Sequence, residues 1–349
     1  MHDLDLIRRL QTLVGDGFRH EVRDERVVGL YLTSPEYIFH GLIRHYGAQE
    51  KQDILNLVAR FQHLETLDLR RCMLFSLPDA FGELVHLRHL DIGSNFLGEV
   101  PAWLPRLTRL EYLNLAVNKL TALPPMLGEL TRLQTLLVHK NDIAAWPGEL
   151  GALCRLTSLN LYLNKLRDVP AAVWRYRELK TFSWGLSGIT KLSDEIGNLH
   201  QLEYLTLVAN KLRHLPESFC SLFRLKAVRL HKNRLETLPE GIGKLRSLEQ
   251  ITLYQNRLTH LPRSFAQLQK LKKLNLACNH FTVLPLDASQ LQKLEWLATF
   301  GNPEEFDVAH GGSLRVLQQR PYNARQAGPA SAFNAEKFGP GLGPRNPEE

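Results

Sequence analysis

The sequence predicts an α/β solenoid, a stack of similar coils that each add one short strand to a parallel sheet. Three observations lead to this prediction. Leucine accounts for 68 of the 349 residues and methionine for only 3, so one kind of core position is used repeatedly. A leucine recurs every 23 residues from Leu64 to Leu294 without insertion or deletion. The segment after each of these leucines alternates between leucine and variable residues, as a strand with one buried face does.

Residues 1–63 precede the regular coils and are expected to form an N-terminal cap, because an exposed end coil would leave leucine side chains open to water. Apolar residues at helical spacing between positions 6 and 14 predict a first helix. The apolar segment 27–32 reads as a degenerate first strand. It is followed by an insertion in which we expect helices at 37–46 and 52–61.

Residues 64–303 contain ten full repeats and a partial eleventh. The repeat that begins at Leu110 shows the pattern L-x-x-L-x-L-x-x-N-x-L, followed by a Leu-Pro pair that ends at Pro124. The proline prevents a helix from starting early, so short helical or 3-10 turns should follow it. The asparagine should bond to backbone groups of the turn after each strand, because its amide both donates and accepts hydrogen bonds. This structural Asn ladder comprises Asn95, Asn118, Asn141, Asn164, Asn210, Asn233, Asn256 and Asn279.

This pattern resembles the leucine-rich repeat family of the 23-residue intracellular type, which includes the Ras-group and Scribble-like proteins with plant and bacterial relatives. The resemblance implies a right-handed solenoid curved like a horseshoe. Its concave side would carry a parallel β-sheet of about 11 strands, and its convex side the short helical or 3-10 turns. It also implies a scaffold in signalling rather than an enzyme. The segment 97–101, Leu-Gly-Glu-Val-Pro, departs from this type and is more similar to the plant repeat.

The coil at 179–201 breaks the pattern, because Trp184 fills a leucine position, Ser187 replaces the ladder asparagine and Ser193 replaces the proline. Two interpretations stay open, local repacking and a kink or docking point. After the last coil, residues 304–321 resemble the closing segment of the family and predict a C-terminal cap. Residues 322–349 are rich in Gly, Pro and Ala and predict a disordered tail.

Composition points to a soluble chain in the cytoplasm. The net charge is +7 with a pI near 9.2, a modest basic excess that permits an acidic partner without requiring one. No apolar run is long enough to span a membrane, and charged residues stand where a secretory signal would be apolar. The four cysteines fall at different phases of the repeat, so stacked coils do not pair them, and free thiols fit a reducing compartment.

No catalytic or cofactor motif accompanies the repeats. The sequence lacks a phosphate-binding loop, the H-E-x-x-H and C-x-x-C motifs of metal sites, and a nucleophile elbow. The histidines are too scattered to bind a metal ion. We therefore expect no enzyme, cofactor or metal. An unrecognised activity in a pocket near the insertion at 33–62 remains the weaker alternative.

The inner, concave face should hold a protein or peptide, because its variable positions carry aromatic and basic side chains of the types enriched at interfaces. A His-Lys-Asn segment at 139–141, with a Tyr-x-Asn segment one coil later, returns four coils on at 231–233. This repetition indicates a duplicated block, two similar subsites for an acidic or phosphorylated partner, or both. The candidate contact residues are Tyr112, His139, Lys140, Tyr162, Tyr204, Arg229, His231, Lys232, Tyr254 and Trp296.

A row of basic residues at the end of the strands supports an alternative, binding of a polyanion such as nucleic acid or a phosphorylated ligand. Aromatic side chains that would stack on bases are few beside this row, so nucleic acid is the less expected partner. The row, here called the basic rim, comprises Lys119, Lys165, Lys211, Arg234 and Arg257.

Overall fold

The structure is a computed structural model that describes residues 2–32, 43–283 and 290–303, together with the backbone of a strand at 315–317. The cap predicted at 304–321, apart from that strand, and the tail predicted at 322–349 lie outside the described residues. Most of the helix predicted at 37–46 lies outside them as well. The chain divides into two compact units, Met1–Leu166 and Arg167–Glu349, rather than at the ends of the regular repeats.

The first unit starts with helix α1 (Asp3–Val14), an antiparallel hairpin of β1 (Arg19–Arg23) and β2 (Arg26–Tyr31), and helix α2 (Ala48–Val58). Strand β2 is the degenerate strand that the sequence indicated, and it pairs in parallel with the first regular strand. The regular strands of this unit pair in parallel in chain order. They are β3 (Thr66–Asp68), β4 (His89–Asp91), β5 (Tyr112–Asn114), β6 (Thr135–Leu137) and β7 (Ser158–Asn160).

The second unit continues with strands that also pair in parallel in chain order. They are β8 (Thr181–Ser183), β9 (Tyr204–Thr206), β10 (Ala227–Arg229), β11 (Gln250–Thr252), β12 (Lys273–Asn275), β13 (Trp296–Ala298) and β14 (Arg315–Leu317). Strands β3 to β13 are the eleven that the 23-residue spacing predicts. The hairpin strands β1 and β2 and the strand β14 bring the described total to fourteen.

The core of each coil lies between its strand and a short 3-10 turn. In the coil of β3, Phe81 donates its N–H to the Pro78 carbonyl at 3.0 Å, and Leu84 donates to Phe81 at 3.1 Å. These i-to-i+3 bonds close a tight turn that buries Phe81 against the strand leucines. The turns span Asp79–Glu83, Leu104–Arg106, Pro125–Glu129 and Gly148–Ala152 in the first unit, and Ala171–Arg175, Asp194–Asn198, Glu217–Ser221, Glu240–Lys244 and Arg263–Gln267 in the second.

The two N-terminal helices differ in detail from their prediction. Helix α1 buries Leu6, Ile7, Leu10 and Val14, but Leu13 is exposed. Helix α2 begins earlier than the expected 52–61, because the Gly47 N–H donates to the Glu50 carboxylate at 2.7 Å and so starts the helix at Ala48.

Candidate interaction surface

The inner face is the side of the sheet that points away from the leucine core, and each coil places three side chains on it. In the coil of β3 these are Thr66, Asp68 and Arg70, here called the first, middle and third positions. The middle positions are mostly buried, although they were expected to be open. Neighbouring parallel strands are only about 4.8 Å apart, so adjacent side chains cover one another. Buried middle residues are Asp68, Asp91, Leu137, Asn160, Ser183, Thr206, Arg229, Thr252, Asn275 and Ala298.

The ladder asparagines lie in the turn that follows each strand, and each one connects two coils. The Asn118 amide donates to the carbonyls of Ile92 and Leu115, both at 3.1 Å, and its oxygen accepts the Leu97 N–H at 3.0 Å. Each buried amide thus satisfies backbone groups that no strand or helix pairs. Equivalent bonds are made by Asn95, Asn141, Asn164, Asn210, Asn233, Asn256 and Asn279.

The residue before each ladder asparagine has a left-handed backbone, which the sequence did not reveal. Lys140 and Lys232 have φ angles of 55° and 56°, and their side chains are exposed beside the inner face. The left-handed region is unfavourable for residues other than glycine, so the ladder hydrogen bonds must hold the turn in place. The fixed position before the asparagine in L-x-L-x-x-N is the signal that could have located this turn.

Middle-position carboxylates and amides form a second set of caps. Asp91 accepts the Gly93 N–H at 3.0 Å, and Asn160 accepts the Tyr162 N–H at 3.1 Å. In each case the acceptor bonds to the backbone two residues later, the arrangement of an Asx turn. The same bond is made by Asp68, Asn114 and Asn275. These side chains therefore support the backbone, a role that the sequence pattern did not indicate. An Asp or Asn two residues before the third position is its signal.

An ion cluster occupies the inner face of the first regular coils. The Arg70 guanidinium bonds Asp68 through Nη2 at 2.7 Å and lies 3.4 Å from Asp91 Oδ2. Asp91 also accepts from Asn114 Nδ2 at 3.1 Å. Burial, together with the neighbouring charge of Asp68, raises the pKa of Asp91 to about 6. The positive and negative groups in this cluster largely compensate each other.

Two histidine–tyrosine stacks lie on the inner face. His231 stacks on Tyr254 with ring centroids 4.4 Å apart, and His89 stacks on Tyr112 at 3.9 Å. Burial, with smaller contributions from Arg229 and Lys232, lowers the pKa of His231 to about 3. The imidazole is therefore neutral at pH 7, and the positive charge of this region comes from Arg229 and Lys232. Of the two histidines, only His231 was a candidate contact residue.

The other candidate contact residues differ in accessibility. In the first unit, His139 and Tyr162 are half-buried. Burial lowers the pKa of His139 to about 4 and raises the pKa of Tyr162. Tyr204 is half-buried at the first position of β9, in the second unit.

Two further candidates in the second unit are buried. Arg229 is 7% exposed, and burial lowers its pKa to about 10, which still leaves it protonated at neutral pH. Trp296 packs in a small cluster with Ala277 and Ala298, where Tyr254 and Phe300 are partly buried. These two side chains offer a partner only small exposed edges.

The irregular coil keeps its hydrogen-bond ladder. Trp184 is fully buried, meets Phe182 edge-on at 6.3 Å, and donates its backbone N–H to the Thr206 carbonyl at 2.8 Å. Asn210, the ladder residue of the next coil, accepts from the N–H groups of both Ser187 and Gly188, and Ser187 Oγ donates to the Gly185 carbonyl at 3.2 Å. The local contacts favour the repacking interpretation of this coil.

The described residues offer little support for the other chemistries. At the basic rim, Lys165 is paired with Asp142 at 2.8 Å, which reduces the charge available to a polyanion. A shallow hollow lies near the insertion. Its lining does not include a nucleophile paired with a general base, and consists of Arg44, Arg71, Met73, Ser94 and Phe96. In the described part of the chain, no three His, Cys, Asp or Glu side chains lie where they could hold a metal ion.

Comparison with known proteins agrees with this architecture. The family model described as leucine-rich repeat region matches residues 44–183, 170–255 and 219–320, well over half of the chain. The chain therefore belongs to the leucine-rich repeat proteins, and the predicted solenoid of this family is confirmed. No curated protein matches its sequence.

Several solved structures share the fold. A leucine-rich repeat protein of Leptospira interrogans is 29% identical with a TM-score of 0.62, covering 72% of this chain and 69% of its own. The functional domain of InlJ from Listeria monocytogenes is 24% identical with a TM-score of 0.66, covering 75% and 55%. The plant peptide hormone receptor RGFR1, in complex with RGF2, is 24% identical with a TM-score of 0.59, covering 72% and 45%. These likenesses show that the fold is shared.

Proposed function

We propose that the chain is a non-catalytic module that binds a protein or peptide partner on its inner face. The observation that carries this proposal is the ordered group around His231. Its ring is stacked on Tyr254, the protonated Arg229 lies two residues before it, and the exposed Lys232 follows it. Rigid aromatic surface is among the features most often found at the centre of protein interfaces.

The family likeness supports the same proposal. One structure with this fold is a plant peptide hormone receptor in complex with RGF2. At 24% identity that likeness concerns the fold alone. Peptide binding on the inner face is therefore proposed from the side chains of this chain. Half-buried Tyr162 in the first unit and Tyr204 in the second would widen the contact beyond the His231 group.

We further propose that the module acts as a scaffold in cytoplasmic signalling. All four cysteines, Cys72, Cys154, Cys220 and Cys278, are free thiols, and Cys154 is exposed. An exposed free thiol is typical of proteins in a reducing compartment. Within the described residues, no helix has the length and apolar character needed to cross a bilayer. Fractionation of the native cells tests the compartment, and recovery in a secreted fraction would contradict it.

Site-specific photo-crosslinking tests the proposed binding face. A photoreactive phenylalanine analogue replaces Tyr254 on the inner face in one protein and the exposed Phe223 in a matched control. After irradiation in the native cell extract, we expect a discrete adduct from position 254 that position 223 does not give. Equal adducts from both positions, or none from position 254, would refute inner-face binding.

A further inference from the structure

Backbone capping on the inner face is missing from one block of the second unit, as it is at Leu137 in the first unit. Asp68, Asp91, Asn114, Asn160 and Asn275 each accept the N–H two residues later. Four successive coils between these have Ser183, Thr206, Arg229 and Thr252 at the middle position instead. None of these four residues has the amide or carboxylate oxygen that makes the cap elsewhere.

In the first three of these four coils the backbone donor two residues later is left over as a result. The N–H groups of Gly185, Val208 and His231 have no hydrogen-bond acceptor among the described residues. The backbone around them is regular, because the next residues bond normally: the Leu186 N–H reaches the Val208 carbonyl at 3.0 Å, and the Ala209 N–H reaches His231 at 3.0 Å. We call the three N–H groups the donor row. Their acceptors must come from outside the described residues, from water or from a ligand, since buried backbone groups are nearly always paired.

The surroundings of the donor row suit an extended ligand. Three neighbouring coils at about 4.8 Å spacing give a row about 10 Å long, which is the length of about three extended residues. Gly185 has no side chain to cover its own N–H. Val208 is small, and the ring of His231 is held aside by its stack on Tyr254.

The charge around the donor row has one sign. At the inner-face positions of strands β8 to β11 the charged residue is Arg229, and no carboxylate occurs there or in the turns up to the residue after each ladder asparagine. The charged residues of those turns are all basic: Lys211, Lys232, Arg234 and Arg257. The nearest acid of the adjoining strand starts, Glu203, is already paired with Lys226 at 2.5 Å. Backbone N–H groups beside positive charge favour oxygen acceptors that carry negative charge.

We infer that the donor row binds an extended acidic peptide segment, which rests on the proposed peptide-binding function and names its ligand. Carboxylate and carbonyl oxygens of the segment accept from Gly185, Val208 and His231, while the exposed Lys232 and the small exposed edge of Arg229 attract its charge. Such a site would recognise the negative charge and the extended backbone of the peptide rather than one particular side chain.

The test introduces asparagines whose side-chain oxygens would accept the donor-row N–H groups, as the natural caps do in other coils. Thr206→Asn places an amide two residues before Val208, as Asn160 stands before Tyr162, and Ser183→Asn does the same for Gly185. The probe is a fluorescently labelled, acetylated hexaglutamate peptide. We expect it to bind the wild-type chain and to shift the amide NMR signals of Gly185, Val208 and His231. The double variant should keep or raise the unfolding midpoint and lose at least tenfold in affinity.

Leu137→Asn is the matched control, because it adds the same cap for the His139 N–H in the first unit and should leave the affinity unchanged. A hexaglutamine peptide separates acidity from shape and should bind at least tenfold more weakly. Absence of hexaglutamate binding, or unchanged affinity in the double variant, overturns the inference. If hexaglutamate does not bind but an adduct still forms at position 254 in the crosslinking experiment, the inference about the donor row is wrong and the proposed binding function stands. If neither hexaglutamate binding nor the adduct is seen, both the inference and the proposed function are wrong.

Discussion

The imidazole of His231 lies almost flat on the phenol ring of Tyr254, with centroids 4.4 Å apart and planes inclined by 14°. His89 and Tyr112 repeat the arrangement at 3.9 Å and 4°. In both pairs the tyrosine follows the histidine by one 23-residue coil, so parallel pairing places the two rings side by side. The aromatic surface is therefore ordered before any partner binds, which lowers the entropy lost on binding.

Replacing His231 by phenylalanine tests its ionisation. The folded-state pKa of about 3 lies below that of an unfolded histidine, about 6.5. As the pH falls below about 6.5, the unfolded chain takes up the proton first, and the stability present above that pH is lost. We expect this to remove ~2 kcal/mol of the free energy of unfolding between pH 7 and pH 5. Urea unfolding at the two pH values should show a smaller loss in His231→Phe.

The conservative variant also controls for packing, because a phenylalanine ring can still stack on Tyr254. His139, whose folded-state pKa is about 4, adds its own loss of stability in wild type and variant alike, so the comparison isolates His231. An identical pH dependence in both proteins would show that the His231 imidazole takes up a proton as easily when folded as when unfolded.

Asp91 should have the opposite pH dependence. Its folded-state pKa of about 6 lies above the ordinary value of 3.8, so the folded chain holds the proton more tightly. The resulting stability is present below about pH 4 and is lost as the pH rises through about 6. Asp91→Asn should therefore raise the free energy of unfolding by about 1–2 kcal/mol at pH 8 and change it little at pH 4. Denaturant unfolding at both pH values measures this, and a lower value for the variant at pH 8 would contradict it.

Removal of one ladder amide should strongly destabilise the coil stack. Asn118→Ala leaves the carbonyls of Ile92 and Leu115 and the N–H of Leu97 without the partner seen in the structure. Each buried group without a partner costs about 1–3 kcal/mol, so we expect a loss of ~3 kcal/mol or more. The exposed neighbour Lys119→Ala is the control and should change stability by less than about 0.5 kcal/mol. Thermal and urea unfolding of both variants measure the difference, and equal stabilities would argue against a structural role.

Amide exchange should distinguish capped from uncapped third positions. The N–H groups of Gly185, Val208 and His231 have no acceptor among the described residues and should exchange with solvent without prior opening of the structure. The capped groups must first lose a hydrogen bond, so their exchange should be slower by on the order of a hundredfold. Hydrogen exchange followed by NMR gives each rate. Equal protection of capped and uncapped N–H groups would contradict the hydrogen-bond assignment. The capped residues for comparison are Gly93, Ala116, Tyr162 and Ala277.

Much of the fold follows from the sequence because the 23-residue period is unbroken. Strands β3 to β13 begin where the spacing places them, and the turns after the prolines close over Phe81 and its counterparts. The bounds of helix α2 differ from the predicted ones, because the cap at Gly47 and Glu50 determines where the helix starts. Local chemistry of that kind is not part of the repeat and cannot be extrapolated from it.

The candidate surface was less predictable. The types of residue on the inner face could be read from the alternating pattern, but their accessibility could not. Arg229 and Trp296 are nearly buried by neighbouring coils. The carboxylate of Asp91, which the alternating pattern places on the inner face, accepts the Gly93 N–H. The burial of Arg229 and Trp296 depends on side chains one coil away, which the pattern of a single repeat does not contain. The Asp91 cap is local, and its signal is the Asp two residues before Gly93.

By itself, the sequence determined the family, the length of each coil and the side of each strand that faces the leucine core, because these depend only on the period of the apolar residues. Only the tertiary structure decided which inner-face groups are charged, stacked or left without an acceptor. The lowered pKa of His231 arises from its burial between coils, and its stack on Tyr254 joins residues 23 positions apart. Such groups meet only when the coils stack, and their distances of a few ångströms set the chemistry that a partner encounters.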